Sequence, residues 1–173
     1  MFTKSSNLTK SFEGVRIEIE TPVDFDTVMK RLHDLTGRAS VNEVIGVAAQ
    51  VKSAADYARE IETRFVGKSG FIVFAEVDHG NWIHLYGIRR RSVRVMLGNP
   101  LIAITLLCHD LSAGLFAPVE MLVTASEEGS GTQIIYLQPS SLMCVPGTGR
   151  ELRQAAEVLD AKLSKLVSDI AQG

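Results

Sequence analysis

The sequence predicts one α+β domain, residues 1–173, in which a mainly antiparallel sheet has helices packed on one face. Residues 15–20 alternate strictly between apolar and charged side chains, as in a strand with one solvent-exposed face. Other segments repeat apolar residues at intervals of three and four, the pattern of amphipathic helices. The length of 173 residues also suits a single domain. The predicted order of elements is β-α-α-β-β-α-β-β-α.

The first half of the chain predicts two helices after the first strand. Asp24 stands where it can cap a helix whose apolar stripe recurs at intervals of three and four. Gly37 is expected to close that helix from the C′ position. Ser40 and Glu43 have the spacing of a capping box, so the second helix begins there and extends toward Phe65.

The second half predicts most of the sheet. Residues 71–77 are rich in β-branched and aromatic side chains and are apolar on both sides, which favours an inner strand. Residues 92–97 predict another strand, and 119–125 with 132–137 predict a hairpin. Residues 78–91 fit either a turn with a short helix or a twisted strand, and periodicity does not decide between them.

Two helices complete the second half. Gly98, Asn99 and Pro100 are suited to a strand-to-helix hinge, because they supply a permissive backbone, a cap and a residue pre-set for the first helical turn. The helix over 101–111 is apolar nearly all round and is expected to be buried on most sides. A capping box at the start of 148–171 predicts the C-terminal helix.

Four segments of the second half resemble a known family. They are residues 71–79 (FIVFAEVDH), 95–100 (VMLGNP), 117–123 (APVEMLV) and 135–139 (IYLQP). Their order and spacing are similar to domain-of-unknown-function family 302 over residues 71–143. The resemblance implies a compact α+β fold, a mainly bacterial origin and the capacity to form dimers. It implies no activity and supplies no catalytic residues.

The chain departs from that family pattern at several places. A helical insertion over 38–68 separates the first helix from the second strand, and the C-terminal helix lies beyond the shared core. Aromatic residues and an arginine run also stand where the family usually has other residues. We expect a specialised role to reside in these departures, which are residues 38–68, Trp82, His84, Tyr86, 89–91 and 148–171.

Composition excludes several classes of partner. The net charge of −2 and a pI near 6.1 give no attraction to nucleic acid or to anionic membranes. Residues 1–14, expected to be flexible, lack the apolar core of a signal peptide, and 95–108 is too short to span a bilayer. Cys108 and Cys144 do not make a disulfide framework, so a cytoplasmic protein with reduced thiols is predicted.

The potential metal ligands have unfavourable spacing. His79 and His84 are five residues apart, so their side chains diverge on either a strand or a helix. Cys108, His109 and Asp110 are consecutive and point in different directions on a helix. We therefore expect no metal site and no cofactor.

Trp82, His84 and Tyr86 form the most informative cluster of side chains. All three share one face of an extended segment, and Trp82 and Tyr86 share a face of a helix as well. Amphipathic rings beside an imidazole are typical of a small-molecule pocket. Packing in a dimer contact or in the core accounts for the same residues equally well.

The first functional hypothesis is a homodimeric module that binds a small, partly aromatic or apolar molecule between the sheet and the helices. Its ligand-binding residues are Trp82, His84, Tyr86 and Asn99, helped by the helix around 44–61.

Two alternatives remain open. One is a cofactor-free enzyme of the isomerase, cyclase or lyase type, because imidazole titrates near physiological pH. His84 or His79 would then transfer the proton, and Tyr86 or Asp78 would orient the substrate. The other is a structural or interaction protein without a ligand, whose added helices form assembly surfaces.

Overall fold

The computed structural model describes residues 9–127 and 130–172, so most of the predicted flexible N-terminus lies outside the described residues. One six-stranded sheet has the order β1-β6-β5-β4-β3-β2, and only the β2–β3 pair is parallel. The predicted α+β fold with a mainly antiparallel sheet is therefore confirmed. The strands are β1 (Arg16–Thr21), β2 (Gly37–Arg38), β3 (Ile72–Asp78), β4 (Ser92–Gly98), β5 (Val119–Ala125) and β6 (Thr132–Leu137).

Seven α-helices lie in the described residues, and every predicted helix has a counterpart among them. Short 3₁₀ turns follow three elements, at Val47–Ala49, His84–Tyr86 and Leu111–Phe116. The helices are α1 (Phe25–Leu35), α2 (Val41–Gly46), α3 (Ala54–Arg64), α4 (Gly80–Ile83), α5 (Pro100–Leu107), α6 (Pro139–Met143) and α7 (Arg150–Ala171). The short elements β2 and α6 are additions to the predicted order, whereas α4 corresponds to the turn with a short helix that was one of the two alternatives for residues 78–91.

The predicted second helix is two helices. The capping box of Ser40 and Glu43 forms as expected and begins α2. A second cap, in which the Ser53 side chain accepts the backbone N–H of Asp56 at 3.1 Å, begins α3. The apolar stripe continues through the break, which is why periodicity alone predicted one helix.

The role predicted for Gly37 is wrong. The last N–H of α1 is that of Thr36, whose hydroxyl also donates to the Leu32 carbonyl, and Gly37 begins β2 without a positive φ. A Cβ at Gly37 would clash with the Phe65 carbonyl oxygen, and one at Gly67 would clash with the backbone at Thr36. Glycine is needed at these two positions because two chain segments approach each other closely, and not because a glycine ends α1.

The main core lies between one face of the sheet and helices α1 and α7. Alternate residues of the central strands point into it, as the period of two requires. The long α7 supplies an apolar stripe that is almost completely buried. Its buried residues are Leu152, Ala156, Leu159, Leu163, Leu166, Val167 and Ile170.

Two details of the helices correct the sequence-based expectations. Helix α7 begins at Arg150 with no side-chain cap, so the capping box predicted at residue 148 does not form. Helix α5 ends at Leu107 and is not buried on most sides, since Ile104 is 57% exposed. Cys108 is exposed as well, and so it does not have the burial expected for the helix over 101–111.

A β-bulge at Phe74 changes the direction of the side chains along β3. Val73 pairs with Leu97, whereas Ala75 pairs with Met96. Before the bulge, Ile72 and Phe74 point away from the main core into a second cluster with α2 and α3. This cluster covers the opposite side of the sheet near β2 and β3. The prediction that helices pack on one face of the sheet did not include it.

Candidate functional site

An apolar pocket of about 220 Å³ lies where helices α2 and α3 meet the beginning of α5. We call it the α5 pocket. Its walls come from α2, α3, the bulged strand β3, the hinge before α5 and the start of β5. The lining residues are Val41, Val44, Ile45, Tyr57, Phe71, Phe74, Met96, Gly98, Asn99, Pro100, Ile102, Ala103, Leu106, Ala117, Pro118, Val119 and Leu159.

The predicted hinge forms the floor of this pocket. The Asn99 side chain accepts the backbone N–H of Leu101 at 2.8 Å and so caps α5. Its amide nitrogen donates to the Gly70 carbonyl at 2.9 Å, which ties the start of the helix to the segment before β3. At Gly98, an added Cβ would lie 3.2 Å from the Phe74 ring and 3.4 Å from Pro118. A larger residue would therefore reduce the pocket.

Helices α2 and α3 form the roof of the pocket. Val44 is buried, whereas Val41 and Ile45 are exposed at the rim. The Tyr57 hydroxyl donates to the Val44 carbonyl at 3.3 Å, which links α3 to α2. Burial raises the pKa of Tyr57 above its usual value, so its hydroxyl is neutral at physiological pH.

The polarity of the lining restricts what the pocket can hold. Among the described residues, Tyr57 and Asn99 are the two polar residues that line it, and no charged side chain does so. Removing an ion from water without a counter-charge costs several kcal/mol, so the pocket suits a neutral, mainly apolar molecule.

The structure places the predicted aromatic cluster elsewhere. Trp82 and Tyr86 meet edge to face with their ring centroids 6.2 Å apart, which is the helical arrangement at i and i+4. Trp82 is 50% exposed and Tyr86 is 77% exposed. His84 is exposed too, with Nδ1 3.3 Å from the Gly80 carbonyl oxygen.

None of Trp82, His84 and Tyr86 lines the α5 pocket. They precede β4 whereas Asn99 follows it, and a strand of seven residues is roughly 23 Å long. The structure thus brings Trp82 and Tyr86 together but separates both from Asn99. Ligand binding by these four residues stays a prediction.

The other predicted acid–base residues do not form a pair. The His79 ring packs against Trp82 with centroids 6.1 Å apart. Asp78 points toward the α1 side of the sheet, because it is in register with buried Val93. Among the described residues no side-chain hydrogen bond joins Asp78 to His79, and none joins a carboxylate to His84.

The structure also shows a contact between a histidine and a carboxylate that the sequence did not indicate. His33 of α1 approaches Glu76 of β3 with 2.6 Å between Nε2 and Oε1, and Arg38 bonds the other oxygen of Glu76 at 2.7 Å. The bulge at Phe74 creates this contact by turning Glu76 toward α1. No local pattern in the sequence marks either the bulge or the contact between Tyr57 and Val44.

Metal-ligating side chains are dispersed over the fold. Within residues 9–127 and 130–172, no three His, Cys, Asp or Glu side chains come together as a metal site would need.

Burial raises the pKa of the Cys144 thiol, which favours its unreactive protonated form. In the part of the chain that the structure describes, no helix combines the length and the apolar character needed to cross a membrane.

Comparison with known proteins gives a family and a fold. The model of the family "Domain of unknown function DUF302" matches residues 45–170. This range includes most of 38–68 and all but the last residue of α7, and so it extends beyond the resemblance seen over 71–143. No curated protein matches the chain.

The solved structures include a fold of the same kind. The chain is similar to an uncharacterised conserved DUF302 protein from Bacillus stearothermophilus, with a TM-score of 0.59 and 16% sequence identity. The similarity covers 91% of this chain and 98% of the other. At this level of identity it shows a shared fold alone.

Proposed function

The chain belongs to the DUF302 family, whose description assigns no activity, and from its own geometry we propose that it is a binding module for a small apolar molecule. The α5 pocket carries this proposal. Concave, mainly apolar sites with a few fixed polar groups are the usual form of small-molecule sites in proteins. Here both polar residues also hold the walls together, Asn99 at the hinge and Tyr57 between the two roof helices.

The experiment compares ligand-induced stabilisation in two matched variants. Ala103→Leu adds bulk to the pocket wall, and Ala161→Leu makes the same change at an exposed position of α7. Toluene serves as a minimal apolar probe. At ten times its Kd, a single-site ligand stabilises the folded state by about 1.4 kcal/mol. For a protein of this size, that stabilisation raises Tm by about 3–6 °C.

We expect toluene to raise the Tm of the wild-type protein and of Ala161→Leu but not that of Ala103→Leu. Loss of the response in Ala103→Leu alone would assign binding to the α5 pocket. A wild-type protein that shows no response to toluene and to larger neutral apolar compounds would contradict the proposal. The role of a structural protein without a ligand would then be favoured.

We also propose that the module acts as a homodimer, in a bacterial cytoplasm where the free thiols of Cys108 and Cys144 stay reduced. The supporting feature is the sheet face opposite α1 and α7. Leu137 and Leu115 are exposed there and help to line a broad groove of about 710 Å³.

The register of the strands gives this face a complementary charge pattern. Across four strands, Arg94 lies opposite Leu122, Leu122 opposite Ile135, and Ile135 opposite Glu18. The row is therefore apolar in the middle and has an ion pair of the same chain at each end, Arg94 with Glu120 and Glu18 with Arg16. A two-fold axis parallel to the strands would bring the apolar middles of the two copies together and place the Arg94–Glu120 pair of one copy against the Arg16–Glu18 pair of the second copy.

A further inference from the structure

We propose that the ligand of the α5 pocket is a neutral molecule of about nine non-hydrogen atoms that donates one hydrogen bond to the Tyr57 hydroxyl oxygen. This inference rests on the proposed binding function and adds the chemical class of the ligand. Three observations support it. They are the volume of the pocket, the uncharged side chains that line it among the described residues, and the hydrogen bonds that its polar groups already make.

The volume sets the size of the ligand. An apolar protein cavity of about 150 Å³ holds benzene, which has six non-hydrogen atoms. In proportion, the 220 Å³ of the α5 pocket has room for about nine such atoms. A fused two-ring compound or a ring with a short substituent has this size.

The lining sets the charge of the ligand. The walls offer a charged ligand no ion pair, because none of the lining residues is acidic or basic. Burial also disfavours ionisation of Tyr57, whose pKa is raised. A carboxylate or an ammonium group would lose its hydration without compensation, and so neutral molecules are selected.

The hydrogen bonds set the polarity of the contact. Both ends of the Asn99 amide are held by backbone groups, at Leu101 and Gly70. The Tyr57 hydroxyl hydrogen is directed to the Val44 carbonyl, and among the described residues no donor is directed to its oxygen. Tyr57 can therefore accept a hydrogen bond from a ligand and keep its own bond to Val44, whereas donating one would break that bond.

Indole, indene and benzofuran provide the test, because each has nine non-hydrogen atoms and nearly the same shape. Indole donates a hydrogen bond, benzofuran can only accept one, and indene does neither. We expect indole to bind the wild-type protein about fivefold more tightly than the other two, as one net hydrogen bond allows. Calorimetric titration measures the three Kd values, and benzoate, a carboxylate that also has nine non-hydrogen atoms, tests the exclusion of charge.

Two variants assign the effect to its residues. In Tyr57→Phe indole should lose its advantage over indene and benzofuran, because its N–H is left without an acceptor, and in Ala103→Leu none of the three should bind. Equal wild-type affinities for indole and indene, or an indole preference that persists in Tyr57→Phe, would overturn the role of Tyr57 while leaving the binding function intact. Binding of the carboxylate as tightly as indole would overturn the neutral class. If no neutral compound binds, both proposals fail.

Discussion

The substitution Asn99→Ala tests whether the hinge before α5 stabilises the protein through two hydrogen bonds at once. Removing the cap on the Leu101 N–H costs about 1 kcal/mol. The substitution also leaves the Gly70 carbonyl, in a half-buried residue, without its donor, which adds about 1–3 kcal/mol. We therefore expect a loss of about 2–4 kcal/mol in the free energy of unfolding. The corresponding decrease in Tm is roughly 4–16 °C for a protein of this length.

Ser53→Ala is the matched control for this prediction. Ser53 is also an N-cap, but it is exposed, and its loss should cost only about 1 kcal/mol. Asn99→Asp separates the two contributions further, because the carboxylate keeps an acceptor for Leu101 but cannot donate to Gly70.

Urea unfolding followed by circular dichroism gives the free energies, provided that the m-values of the variants agree. The expected order of stability is wild type, then Ser53→Ala, with Asn99→Ala lowest. Asn99→Asp should be less stable than the wild-type protein. If Asn99→Ala costs no more than Ser53→Ala, the bond to Gly70 adds nothing to stability, and the argument that the hinge ties α5 to β3 is refuted.

Two further predictions concern assembly and pH. Sedimentation should show a wild-type dimer of about twice 18.9 kDa. The substitution Leu137→Glu should dissociate this dimer, whereas Val158→Glu, on the exposed side of α7, should not. A wild-type monomer would contradict the proposed dimer. Burial raises the folded-state pKa of Tyr57 and Tyr136, so their contribution to stability is complete below about pH 10 and is lost as the pH rises through their folded pKa values. Tyr57→Phe should therefore lose less stability than the wild-type protein in alkaline urea titrations, and equal losses would show that Tyr57 does not titrate with unfolding.

Several correctly predicted helix starts depend on chemistry between neighbouring residues. The capping box of Ser40 and Glu43, the cap at Asp24 and the hinge at Asn99 all form where the sequence places them. In each case one side chain bonds a backbone group two or three residues away. Such contacts can be read from a single sequence because their geometry is local.

The pocket could be predicted only in part, because its remaining features are not local. Periodicity does not reveal the bulge at Phe74, since the surrounding residues are apolar on both sides of the strand. The contact of Tyr57 with Val44 joins two helices that periodicity had merged into one. The aromatic residues around Trp82 drew attention by composition, whereas the pocket is made mostly of aliphatic residues that any core contains.

The contact between Gly37 and Gly67 has a consequence for how the chain can change. Both glycine N–H groups donate to the same carbonyl, that of Phe71, at 2.9 and 3.2 Å. The polypeptide therefore leaves the sheet after β2 and returns to it at β3 near the same point. The segment between these strands, which contains α2 and α3 and forms the roof of the pocket, is a long loop whose two ends lie side by side. Its length can therefore change while the strands keep their register, provided that the new segment still covers Ile72 and Phe74 of β3.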